Sequence, residues 1–342
     1  MYCVPCGIMG IRLGMMRNEL NSKDINYLQL DQLFDVLNPV DDLQLLFERI
    51  RREDLGEHNV DLTTSAMIDR NRQSTAELVA RETGVVAGLR AVPAMIEAYF
   101  GQGKRAKLEW MPLVEDGFTV NPGEVLARLS GSLTRILIIE RPILNLLGRM
   151  SGIATITRKY VKEIKGSPAC IFDTRKTTPG LRGLEKYAVR CGGGRCHRLG
   201  LYDAVLVKDN HIGHITDEAL TEELTKRLAP LRRKRVNRPQ FIEVEVDTIE
   251  QLEAVLACPS GLVDIVLLDN MSIEGLCEAA AMRDRMQPDV ELEASGGVNL
   301  GSVRSIAITG MDRISVGAIT HSAASLDLGL DISDDGEGHL KI

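Results

Sequence analysis

Residues 173–211 read DTRKTTPGLRGLEKYAVRCGGGRCHRLGLYDAVLVKDNH. Arg175, Lys176, Arg198 and Lys208 fall at the ends of two short apolar runs, 169–172 and 204–207, and in the loop before the second. Arginine offers a planar fork to a carboxylate or phosphate, and lysine a compact charge, so cations at consecutive strand ends describe a pocket for an anion. Further on, Glu243 and Glu245 lie two apart in FIEVEV and share a strand face. A carboxylate on a buried strand needs a cation beside it. Glu245, nearer the carboxyl end of its run, is the stronger candidate, and Asp269 closes the next run as its natural companion. Two carboxylates facing a cationic pocket point to Mg²⁺ bound with an anionic phosphate ester. Ser295, Gly296 and Gly297 precede a helical stretch, and Gly317 follows Ser315 and Val316. Glycines at strand ends let backbone amides approach a phosphate.

These residues need a scaffold that brings strand ends together. Apolar runs recur at 170–172, 204–207, 241–246, 265–268, 292–294 and 314–316, separated by helical patterns at 181–190, 216–228, 249–256, 273–286 and 300–306. That alternation is the signature of a parallel sheet, and Thr248 with Gln251 makes a capping box for one helix. A doubly wound sheet is the alternative, but chemistry-bearing residues close every run, and only a barrel gathers all strand ends on one face. The expectation is therefore an incomplete parallel α/β barrel over residues 141–319, of roughly six to seven strands. Before it, residues 31–140 read as a mixed α+β lobe with antiparallel hairpins. Its expected elements are a helix at 41–54 capped by Asp41 or Asp42, strands 73–81 and 84–89 joined by a tight turn, a helix at 92–100, and strands 107–114 and 123–129. A long helical span over 133–164 follows, with breaks expected at Pro142 and Gly152.

A net charge of −7 argues against broad binding of nucleic acid, so any anion is held by a few focused cations. No apolar run is long enough to span a membrane. Residues 1–30 read as an extension, with the native start at Met15 or Met16. The seven cysteines read as reduced thiols of a cytoplasmic protein; Cys3 and Cys6 form a C-x-x-C without a second pair. Residues 232–235 read as a solvated basic face, and His211 with His214 as an H-x-x-H without a third ligand.

The block 173–211 closely resembles quinolinate phosphoribosyltransferases. So do Glu140-Arg141 with Leu144-Asn145, the run 151–155, Glu243-Val244-Glu245, Leu268-Asp269-Asn270, Ser295-Gly296-Gly297 and Ser315-Val316-Gly317. The likeness covers roughly residues 31–330. It implies an α/β sandwich lobe over residues 31–140, with residues 320–342 packing on it, beside an incomplete barrel, a homodimer or a multiple of one, and Mg²⁺ as cofactor. The implied reaction joins quinolinate to phosphoribosyl pyrophosphate, giving nicotinate mononucleotide, pyrophosphate and CO₂, a step of de novo NAD biosynthesis. By the same likeness Arg175, His197, Arg198 and Lys208 would hold the two quinolinate carboxylates, and Arg141 would reach into a neighbouring subunit's site. Lys176, Glu245, Asp269, Ser295, Gly296, Gly297 and Gly317 would handle the donor and its metal, with Glu245, Asp269 and Lys176 as the catalytic groups and Glu245 and Asp269 toward the metal. His211 and His321 are further neighbours. Two positions depart from the family: Cys196 stands where asparagine or a small polar residue is common, and Pro142 where threonine is usual.

Two rivals remain. A related phosphoribosyltransferase acting on nicotinate would leave some of Arg175, Arg198 and Lys208 unpaired in a buried pocket, so the cation count prefers a diacid. A phosphate-ligand sensor on the same scaffold would have no use for Glu245, Asp269 and Lys176 together.

Overall fold

The computed structural model describes residues 25–102, 108–234, 236–333 and 339–340. The C-x-x-C at Cys3 and Cys6, and the start at Met15 or Met16, lie outside the described residues. The first residues described are docked: Ile25 is fully buried, and the Asn26 side chain accepts from the Cys196 amide (2.8 Å) and donates to its carbonyl (2.9 Å). A sulfur at Cys196 is accommodated there because it is the main chain, not the side chain, that Asn26 grips.

The N-terminal lobe is built on an antiparallel five-stranded sheet in the order His339–Leu340, Leu328–Ser333, Gln73–Ala80, Val125–Ser132, Leu108–Pro112. Alternation drives it. Ala76 and Leu78 are fully buried, while Glu77 faces outward and pairs with Arg128 across the sheet at 2.9 Å. Leu330 sits opposite Leu78, so the C-terminal strand completes the N-terminal lobe. The turn expected to join strands 73–81 and 84–89 does not make a hairpin. Gly84–Val85 pairs instead with Thr119–Val120, because the Val85 amide donates to Thr155 Oγ1 (2.8 Å) and draws the segment onto the long helix. The helix Val40–Leu55 begins one residue earlier than expected, with Pro39 at its cap and Asp41 and Asp42 in its first turn.

The long helix Leu133–Glu163 runs unbroken through Pro142 and Gly152, correcting both expected breaks. Interior proline forfeits a backbone bond, yet Pro142 is buried in the packed middle of the helix, where tertiary contacts hold the helical path. Gly152 serves close approach: a Cβ there would lie 1.9 Å from the Ala324 carbonyl oxygen. Ser151 meanwhile accepts from the Ala87 amide at 3.0 Å. The run 151–155 is thus where the helix receives the N-terminal lobe and the C-terminal segment together. The expected boundary between residues 140 and 141 falls inside this helix.

The C-terminal half is a parallel six-stranded sheet in the order Cys170–Phe172, Arg313–Ser315, Glu291–Ser295, Ile265–Asp269, Ile242–Val246, Val205–Val207. The first and last strands in that order are neighbours in sequence but not bonded, so the sheet curls into a barrel open on one side. Residues after the helix Arg182–Cys191 line the gap, where Arg195 makes a bridge to Phe172. Ile242–Val246 is buried along its whole length, as a barrel strand covered on both faces requires. The capping box is shifted: Thr248 Oγ1 accepts from the Gln251 amide, while Gln251 Oε1 accepts from Asp247, one residue before the cap.

The basic run 232–235 is not simply a solvated face. Arg232 closes the helix Asp217–Arg232, which continues through Pro230, and pairs with Asp264 while donating to the Leu262 carbonyl. Arg235 lies outside the described residues. Among the described residues no helix is long and apolar enough to cross a membrane.

Candidate active site

A cavity of about 740 Å³ opens at the carboxyl ends of the barrel strands. Its wall carries Arg175, Lys176, His197, Arg198, Lys208, Glu245, Asp269, Ser295, Gly296, Gly297 and Gly317. One cavity therefore gathers every residue expected to hold the acceptor, the donor or the metal except Arg141. Arg141 is exposed on the long helix, its Nε 3.6 Å from Glu140.

On one side stand Arg175 and Arg198. Arg198 is only 8% exposed, and its Nη1 reaches the Ala204 carbonyl at 3.5 Å. Burial, then the neighbouring Arg175 charge, pulls its pKa down. Arg175 Nε is buried without a partner. Among the described residues neither arginine, nor Lys176, forms an ion pair with a protein carboxylate. Arg175 is half-buried and Arg198 buried; two like charges held together with little water are costly, and an anion with two carboxylates relieves both.

The opposite side is acidic and glycine-lined. Glu245 is mostly buried and paired with Lys208, a partner not anticipated from the sequence. Asp269 Oδ2 accepts from Asn270 Nδ2 at 2.7 Å. Glu245 pairs in register with Leu267, so Asp269 stands two residues further toward the mouth on the adjacent strand. With a rise of about 3.3 Å per residue and about 4.8 Å between strands, their backbones are offset by roughly 8 Å. That stagger gives no closed protein cage. Carboxylates so spaced would suit Mg²⁺, which keeps most of its waters and takes few protein ligands.

Gly296 has φ +94°, and a Cβ there would lie 2.1 Å from Asn270 Oδ1 and 2.8 Å from its backbone nitrogen. Asn270 itself holds a positive φ of 54° and donates its amide to the Ser295 carbonyl at 3.0 Å. The loop after Ser295 and the loop after Asp269 are thereby interlocked, and only glycine fits. A Cβ on Gly317 would press against Lys176 Cδ at 3.0 Å.

His197 lines the floor, but its ring nitrogens are taken. The Arg198 amide donates to Nδ1 (2.7 Å), and Nε2 lies 3.0 Å from Glu243 and 3.3 Å from Glu293. Burial resists a charge on the ring, whereas Glu293 and Glu243 outweigh it and push the pKa up to about 9. The Arg198 amide works the other way, favouring a ring with its proton on Nε2. In this structure both ring nitrogens of His197 face protein partners, and the ring shapes the floor beside Arg198. Glu243, expected as a strand-end carboxylate, is fully buried beneath that floor. His197, Glu243 and Glu293 are spaced closely enough for a metal, but Arg313 already supplies a cation there, with Nε 2.6 Å from Glu293. His211 is not in the wall; its Nδ1 accepts from the Lys208 amide at 2.8 Å. His321 is in the wall.

Sequence reasoning missed Thr174, Glu293 and Arg313. The signal for the last two was charge inside apolar strands, in ELEAS and DRIS, which barrels tolerate only when the charges meet each other.

Comparisons with known proteins extend this geometry. The family model described as quinolinate phosphoribosyl transferase, C-terminal domain, matches residues 153–331, and its N-terminal-domain counterpart matches residues 61–151. A nicotinate-nucleotide pyrophosphorylase (carboxylating) of Mycobacterium leprae is 41% identical over 289 residues, covering 83% of this chain and 95% of that protein. A chloroplastic protein of the same description from Arabidopsis thaliana is 37% identical over 312 residues, 87% of this chain and 85% of its own. Among solved structures, the nicotinate-nucleotide pyrophosphorylase of Francisella tularensis superposes with a TM-score of 0.74 at 34% identity, covering 86% of this chain and 97% of that one.

Proposed function

The chain belongs to the quinolinate phosphoribosyl transferase family, and we propose that the strand-end cavity is where it joins quinolinate to phosphoribosyl pyrophosphate. It is a decarboxylating phosphoribosyltransferase of NAD biosynthesis: nicotinate mononucleotide, pyrophosphate and CO₂ are the products. The observation that carries the site assignment is the pair Arg175 and Arg198, one half-buried and one buried, which share one wall and form no ion pair with a protein carboxylate among the described residues. A diacid satisfies them; nicotinate, with one carboxylate, satisfies half.

Arg175 and Arg198 grip the acceptor carboxylates and turn the ring nitrogen toward the ribose carbon, supplying the orientation on which bond formation depends. Lys208 joins them by exchanging partners. While it neutralises Glu245, that carboxylate contributes little; an acceptor carboxylate that takes Lys208 leaves Glu245 facing the donor. Departure of pyrophosphate builds positive charge on the ribose, which Glu245 and Asp269 then stabilise. Lys176, Ser295, Gly296, Gly297 and Gly317 receive the phosphates, the lysine by charge and the loops by backbone amides. Mg²⁺, when bound near Glu245 and Asp269, neutralises charge on the leaving group. The ring nitrogen of the quinolinate adduct is then cationic and stabilises the electron pair left on the adjacent carbon as CO₂ leaves, and that carbon takes a proton from water to give nicotinate mononucleotide.

The exposure of Arg141, away from its own chain's cavity, supports a homodimer or dimer-based oligomer in which this arginine enters the neighbouring site. The free cysteines among the described residues support a cytoplasmic setting. Calorimetric titration tests the pocket assignment: quinolinate is expected to bind at least tenfold tighter than nicotinate, and equal affinities would refute it. Chelation of Mg²⁺ is expected to abolish turnover, and unchanged turnover would remove the metal from the scheme.

A further inference from the structure

The segment carrying Arg175 and Lys176, residues 173–181, has no strand or helix bonding of its own over most of its length. Something else must fix it. Two consecutive residues of the helix Arg182–Cys191, Glu185 and Lys186, are both fully buried. Successive side chains on a helix diverge by about 100°, and these two run to different ends of the segment. Lys186 Nζ binds both oxygens of Asp173, at 2.7 and 2.8 Å, and Asp173 Oδ1 in turn accepts the His197 amide at 2.7 Å. Asn26 holds the preceding residue, Cys196, from the other side.

Glu185 takes the other direction. It accepts from the Thr178 amide (3.1 Å) and hydroxyl (2.7 Å) and from Arg149 Nη2 (2.9 Å). Arg149 also donates to the carbonyls of Thr320 and Ala323. Thr320 Oγ1 closes the circuit by donating to the Lys176 carbonyl at 2.8 Å. None of Asp173, Lys186, Glu185 and Arg149 lines the cavity.

We propose that these are two separate struts built from one helix: Asp173–Lys186 positions the acceptor cations Arg175 and Arg198, and Arg149–Glu185 positions the donor side, Lys176 and the turn bearing Gly317 and His321. All four are positioning residues, and the assignment rests on the acceptor and donor halves described above. Because the struts hold opposite ends of the segment and tie them to different neighbours, residues 196–197 on one side and residues 320–323 on the other, loosening one disturbs one substrate and spares the other.

The test is steady-state kinetics on the full-length protein, varying each substrate in turn. Asp173→Asn with Lys186→Met removes the first charge pair while keeping volume; Arg149→Met with Glu185→Gln does so for the second. The first double variant is expected to raise the quinolinate KM at least tenfold with the phosphoribosyl pyrophosphate KM within about threefold, and the second to do the reverse. Should either double variant fail to fold, Asn26→Ala and Thr320→Val loosen the same two branches from outside the ion pairs, with the same opposite split expected. Arg198→Ala and Lys176→Ala serve as direct-contact controls. If the controls split as assigned while the strut variants move both KM values together, or lower Tm alone, the struts are merely structural and the proposal fails. If the controls themselves do not split, the division of the site is wrong and the proposal falls with it.

Discussion

Replacing Arg198 by alanine separates a binding residue from a structural one. Arg198 is buried, has one long bond to the Ala204 carbonyl, and sits against Arg175; Glu243 and Asp203 offset its charge without forming an ion pair, and burial with the Arg175 charge outweighs them. In the unliganded protein its charge is therefore a burden, and removing it relieves repulsion while giving up the packing of its stem. These effects oppose each other, so Tm is expected to stay within about 2 °C of the parent, a shift of about 1 kcal/mol or less for a chain of this size. With quinolinate bound the balance changes. A hydrogen bond to a charged group contributes about 1.5–3 kcal/mol, and at about 1.4 kcal/mol per tenfold this is a loss of roughly 10- to 150-fold. Initial rates at saturating phosphoribosyl pyrophosphate are expected to show that rise in the quinolinate KM, with the donor KM little changed. A Tm drop beyond about 5 °C with an unchanged quinolinate KM would show that Arg198 braces the fold and does not hold the acceptor.

Glu245→Ala is expected to lower kcat by about 10²–10³ with little change in quinolinate KM, as loss of an electrostatic partner of the developing charge should; a rise in KM alone would place Glu245 in binding. Gly296→Ala must override a φ of +94° and a 2.8 Å approach to the Asn270 backbone. It is expected to raise the donor KM at least tenfold, and unchanged donor kinetics would show that the interlocked loops do not face the phosphates. His197 gives a pH signature. A pKa raised from 6.5 to about 9 in the folded protein contributes stability that is complete below pH 6.5 and lost as pH rises through about 9. Tm is expected to fall over that window in the parent and to be flatter in His197→Gln; identical slopes would mean that the Arg198 amide keeps the ring neutral throughout.

Much of the barrel was legible because parallel strands are buried on both faces and advertise themselves as short apolar runs between helices. Cys170–Phe172 and the helices Ile249–Leu256 and Ile273–Met286 coincide with their expected ranges. The cations and glycines were legible because strand ends are where a barrel concentrates chemistry. What stayed hidden depended on partners far away in sequence. Pro142 and Gly152 look like helix breakers locally, and only the packing of residues 324 and 325 against Gly152 shows why the helix continues. Glu243 reads as a strand-end acid until His197, Glu293 and Arg313 are seen to surround it. The Lys208–Glu245 pair joins two expected residues that sequence reasoning had assigned to different substrates.

The most direct measurement is CO₂ release from quinolinate labelled in the 2-carboxylate, using purified protein with Mg²⁺. One labelled CO₂ per nicotinate mononucleotide formed is expected, with none when phosphoribosyl pyrophosphate is omitted. Release without the donor, or nucleotide formation from nicotinate but not from quinolinate, would contradict the assignment.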